Sequence, residues 1–120
     1  MLSSPLADVY DPKLRGISPE RVAATLKVQM GDIARLTSVH RNTLARTPAS
    51  SKVQGRLGDV MRILTEAATL LEDDLGKAVI WFRHQPLAGF DGQTADELVT
   101  SGHADAVLTH LHMLQHGGYA

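Results

Sequence analysis

The chain contains no cysteine, so disulfides and thiolate metal sites are excluded. Long apolar runs are also missing. No stretch approaches the roughly 18 residues that a membrane-spanning helix needs. The opening residues, Met1-Leu2-Ser3-Ser4-Pro5, lack the basic region and apolar stretch of a signal peptide. Together these absences predict a cytoplasmic protein. Repeats and low-complexity tracts are absent. So are a phosphate-binding glycine loop, a metalloprotease helix and a Ser/His/Asp order, and the expectation is a protein that is not an enzyme.

What is present is a chain of 120 residues, 43% of them hydrophobic, enough for a packed core in one unit or two small subdomains. Its net charge of −1 conceals two unlike halves. Residues 1–62 hold ten Lys/Arg against five Asp/Glu, and residues 63–120 hold two against eight. The first half suits phosphate. The second is repelled by DNA and suits a protein partner.

Residues 1–17, with Pro5, Pro12 and Gly16, show no sustained period and read as an arm. Ser18-Pro19-Glu20 starts a helix: a capping hydroxyl, a proline at the first position and an acid at the positive end. Two short helices follow, one over Gly31–Leu36 and one beginning at Ser38 or His40 and stopped by Pro48. Val53, Leu57, Val60, Leu64, Ala67, Leu71 and Leu75 recur at steps of three and four and predict one long helix. It is also a candidate surface for self-association, and Glu72-Asp73-Asp74 reads as a solvated acidic run at its end. Ala78–Phe82 predicts a buried helix, with Trp81 in the core and Phe82 or Phe90 available to an interface. Thr94 and Glu97 form a capping box for the next helix. The last helix covers about 103–115, with Val107, Leu111 and Leu114 on its buried side.

Two constellations point to function. The first is a helix-turn-helix. Ile33 and Ala34 supply the apolar and small residues, Thr37-Ser38 the turn, and Val39 and Leu44 the inward anchors. The candidate DNA-binding residues are Ser38, His40, Arg41, Asn42, Thr43 and Arg46, with Lys52 and Arg56 near a phosphate strand. Arginine pairs bidentately with guanine and asparagine with adenine, while threonine and arginine also take phosphates.

The second runs from Trp81 through Phe90-Asp91-Gly92-Gln93-Thr94 and Leu98-Val99 to His116-Gly117. In that order these residues resemble the toxin-binding domain of Xre/MbcA/ParS-type antitoxins, which neutralise RES-domain toxins. Phe90 and Asp91 stand where that family's turn has leucine and glycine, and Ala95 replaces its usual proline. The resemblance implies a two-part device. One part represses its own operon, and the other covers or enters the active site of a toxin that degrades NAD. The antitoxin itself needs no cofactor and no metal. His103, His110, His112 and His116 cluster on or beside the last helix, but a zinc site wants a third and fourth ligand of fixed geometry and Asp105 is not placed on the face of His112 and His116, so the histidines read as polar surface.

The residues implied in toxin binding are Phe90, His112, His116, Gly117, Gly118, Tyr119 and Ala120. Gly117-Gly118 is slim enough for a narrow cleft, Tyr119 is an amphipathic anchor, and the Ala120 carboxylate suits an arginine that would otherwise hold NAD phosphate.

The expected fold is all-α: an arm (1–17), a helix-turn-helix region (18–50), a long connecting helix (51–76) and a small toxin-binding module (77–120). The expected partners are a RES-domain toxin and symmetric operator DNA. Symmetry predicts a homodimer or a higher assembly with the toxin, with half-sites roughly 34 Å apart. The alternative is a stand-alone helix-turn-helix regulator without a toxin.

Overall fold

The structure, a computed structural model, describes residues 5–117. Among them are eight helices and one two-stranded antiparallel ribbon, so the fold is mainly α. The chain divides into two compact units, residues 1–61 and 62–120. None of the described helices is long and apolar enough to cross a membrane.

The first unit opens with α1 (Pro5–Val9), β1 (Tyr10–Asp11) and β2 (Gly16–Ile17), where a loose arm with at most one short turn was expected. Tyr10 pairs with Ile17 and Asp11 with Gly16. The intervening turn is held by the Asp11 carboxylate, which accepts from the Lys13 N–H at 3.0 Å, and by Arg15 N–H donating to the Asp11 carbonyl at 2.8 Å. Val9 at the end of α1 and Ile17 on β2 are buried, whereas Tyr10 is exposed, so the ribbon meets the core through Ile17. Strands of two residues carry no period, which is why the sequence does not announce them.

Helix α2 (Pro19–Leu26) begins as its sequence predicts: the Ser18 hydroxyl accepts from the Arg21 N–H at 3.2 Å. It buries Val22, Ala23 and Leu26. Helix α3 (Met30–Thr37) buries Ile33, Ala34 and Leu36. The buried Thr37 hydroxyl is satisfied by the Ile33 carbonyl at 2.8 Å. Both helices end tightly on a left-handed residue that is not glycine. Lys27 has φ +60° and Ser38 has φ +57°, and Val28 and Val39 reach back to the carbonyls of Ala23 and Ala34 at 3.0 and 3.1 Å. A three-residue turn leads from α3 into α4 (Arg41–Arg46), which buries only Leu44.

Helix α5 spans Ser51–Leu70 and crosses the boundary between the units. Its stripe ends earlier than predicted. Glu72 and Asp73 adopt φ +64° and +56°, Asp73 N–H bonds the Ala68 carbonyl at 2.8 Å, and Asp74 caps a new helix. The acidic run is therefore a helix break. Asp74 Oδ1 accepts from the Lys77 N–H at 3.1 Å at a positive helix end, where a carboxylate is favoured. The stripe of α5 is also not free for self-association, because Val53, Leu57, Val60, Met61, Ile63, Leu64, Ala67 and Ala68 are all buried within the chain.

The second unit continues with α6 (Leu75–His84), α7 (Ala95–Thr100) and α8 (Ala104–Gln115). Phe82 is fully buried and so is not available to an interface, while Trp81 is half-buried and Ile80 is 63% exposed. The loop after α6 is pinned by Leu87 N–H on the Gln93 carbonyl at 2.9 Å. The Thr94–Glu97 capping box forms as expected, with Thr94 N–H on Glu97 Oε1 at 2.9 Å and Glu97 N–H on the Thr94 hydroxyl at 3.1 Å. Gly102, at φ +87°, turns the chain between α7 and α8. Val107 and Leu111 are buried in α8 as predicted. Leu114, predicted on that side, is 43% exposed.

Candidate functional site

Two surfaces carry the residues singled out by the sequence, one on each unit. On the first unit, α4 gathers His40, Arg41, Asn42, Thr43 and Arg46, all exposed. The helix is short because Pro48 follows, and it holds its place through one anchor, Leu44, only 2% exposed. His40 caps it through its imidazole: Nδ1 accepts from the Asn42 N–H at 3.1 Å. Nδ1 is thus an acceptor, and in the neutral ring the proton sits on Nε2. Arg41 leans back over α3, its Cδ 3.9 Å from where a Cβ at Gly31 would lie. An open cleft of about 490 Å³ is lined by Glu20, Met30, His40, Arg41, Asn42, Leu44 and Ala45.

Ser38 stands apart from this group. It is exposed, but it serves the turn: its backbone is left-handed and its carbonyl accepts from Lys52 Nζ at 3.0 Å. Arg56 Nη1 donates to the Leu36 carbonyl at 2.9 Å. Lys52 and Arg56, expected beside a phosphate strand, therefore cap the carbonyl end of α3, where the helix dipole favours cations. They fix the α3–α4 turn from α5.

On the second unit, the toxin-binding candidates lie along α8 and the loop before α7. Phe90 is half-buried and meets His110 edge to face, with ring centroids 5.8 Å apart and planes at 88°. His112 is exposed and its Nε2 lies 2.6 Å from Glu66 Oε1 on α5. His110 and His112 are two residues apart, about 160° round the helix, so Phe90 and His112 belong to different sides of α8. His116 is exposed at the helix end and Gly117 follows with φ +87°. Gly118, Tyr119 and Ala120 lie outside the described residues.

The structure adds residues the sequence reading missed. Met113 and Leu114 are 58% and 43% exposed beside His112 and His116, so the last turn of α8 presents an apolar pair between histidines. Leu114 follows Leu111 at helical spacing and so reads as core, and only its 43% exposure sets it apart. Ala45 on α4 is likewise exposed. Among the described residues no three His, Cys, Asp or Glu gather in a way that could hold a metal ion.

No family model, curated protein or solved structure matches the chain.

Proposed function

We propose that this protein is an antitoxin of the Xre/MbcA/ParS type. In this reading α3 and α4 form a helix-turn-helix that binds operator DNA, within residues 18–50. Residues 77–120 bind a RES-domain toxin and keep NAD out of its cleft. The mechanism needs no catalytic residue and no cofactor from this chain.

One observation carries the reading: charge and exposure separate together. The first unit is basic and exposes five polar or cationic side chains at α4. The second is acidic and exposes Met113 and Leu114 at the last turn of α8, directly before the glycines. A basic face draws in the phosphate backbone, and an exposed apolar tip beside polar groups is a natural protein contact. An acidic unit keeps that tip clear of DNA. Removal of NAD-degrading activity then follows from occlusion, with the tip of α8 at the cleft mouth.

Co-expression of the chain with a RES-domain toxin encoded beside it tests this. Growth is restored and the two proteins co-purify. Deletion of residues 117–120 restores NAD degradation while leaving part of the complex intact. Persistent toxicity in the presence of the full chain would refute the antitoxin role. The alternative, a stand-alone regulator, rests on α3 and α4 alone and leaves the α8 tip without a task. A neighbouring gene that encodes no RES domain would favour it.

A further inference from the structure

The placement of side chains around α4 separates those that reach a groove from those that brace the helix. Successive residues of an α-helix turn by about 100° and rise by about 1.5 Å. Asn42 and Arg46 each lie two residues from the buried anchor Leu44, so each points about 160° away from the core. They are one turn apart on a single outward line, and both are exposed. Thr43 and Ala45 flank that line at about 100° from Leu44, and Arg41 lies at about 60°, toward the protein.

The contacts agree with this order. His40 spends its Nδ1 on the Asn42 N–H. The Arg41 stem lies over Gly31, and Arg41 and Glu20 line the same cleft. Of these residues only Asn42 and Arg46 have amide or guanidinium heads on the outermost line.

We propose that Asn42 and Arg46 are the base-reading pair of this protein, recognising one adenine and one guanine spaced one or two base pairs apart in the major groove, while His40, Arg41 and Thr43 position α4 against the backbone. This rests on the operator-binding reading above. The base identities follow from hydrogen-bond patterns. Asparagine matches N6 and N7 of adenine bidentately, and arginine matches O6 and N7 of guanine. The spacing follows from geometry: four residues rise about 6 Å along the helix, against about 3.4 Å per base pair. Ala45, flanking the pair, adds a methyl-sized apolar surface suited to a thymine methyl group nearby.

Selection of the full chain against a randomised duplex library, followed by titration of the enriched duplex and its single-base-pair variants, tests the assignment. The expected motif holds an adenine and a guanine at that spacing in each half-site. Asn42→Ala removes the discrimination at the adenine alone, and Arg46→Ala removes it at the guanine alone, each by about five- to 150-fold. Arg41→Ala weakens all sequences alike and lowers the salt slope by about one. Asn42 and Arg46 are surface residues, and circular dichroism of each variant, with Arg46→Lys as a milder second substitution, shows that α4 persists. An enriched motif whose discrimination survives both alanine variants overturns the assignment and leaves operator binding standing. Binding without any preferred sequence overturns the assignment and reduces the operator reading to non-specific DNA binding. Failure to bind any duplex overturns both.

Discussion

Gln54 completes the N-terminal ribbon in the manner of a third strand. Its Oε1 accepts from the Ile17 N–H and its Nε2 donates to the Ile17 carbonyl, both at 2.8 Å, with a further bond to the Pro48 carbonyl at 2.9 Å. The amide thus satisfies the outer edge of β2 and ties residues 5–17 to α5. Gln54→Leu would leave both groups of Ile17 unpaired in a partly buried setting, costing about 2 kcal/mol. Equilibrium urea unfolding measures it, and a loss below about 0.5 kcal/mol would show that water replaces the amide. Gly16→Ala should also destabilise, because a Cβ there would lie 2.6 Å from Gln54 Oε1.

The turn between α3 and α4 stores conformational strain. Ser38 holds φ +57°, a region that costs a residue bearing a Cβ about 1–2 kcal/mol. Ser38→Gly should therefore stabilise the protein by about 0.5–1 kcal/mol once the greater freedom of glycine in the unfolded chain is set against it. Thermal unfolding would register a higher midpoint. A lower midpoint would show that the serine side chain contributes more than its backbone costs.

Arg56 should be a structural residue first. Arg56→Met keeps the aliphatic stem but removes the hydrogen bond to the Leu36 carbonyl, costing about 1 kcal/mol. Denaturation of the free protein shows this loss directly, and the salt slope of DNA binding should not change. A slope reduced by about one, with stability intact, would instead make Arg56 a phosphate contact.

Thr100, at the end of α7, has a buried hydroxyl without a hydrogen-bond partner. Thr100→Val replaces that hydroxyl with a methyl group of similar shape and should stabilise the second unit by about 1 kcal/mol. Chemical denaturation checks the sign. Destabilisation would mean that the hydroxyl finds a partner in solution.

The α-helical content, the cap at Ser18, the Thr94–Glu97 box and most of the core can be read directly from residue spacing, because each depends on neighbours within one or two turns. The failures share another cause. The α5–α6 break follows from Glu72 and Asp73 entering the left-handed region, which an apolar stripe running on through Leu71 and Leu75 conceals. The ribbon depends on Gln54, which lies 37 positions from Ile17. Leu114 and Phe82 exchange their expected exposures because packing, and not spacing, decides which apolar residue is covered. The cluster on α4 could be read from sequence for the opposite reason: a six-residue helix with one anchor leaves its other side chains outside.

The central proposal is occlusion of a RES-domain toxin. NAD consumption by a RES-domain toxin, the proposed partner, followed as the purified chain is titrated in, is the direct test. The rate should fall to background at saturation, and Met113→Asp with Leu114→Asp should restore it while the second unit stays folded. NAD consumed at an unchanged rate in the presence of excess protein would contradict the account.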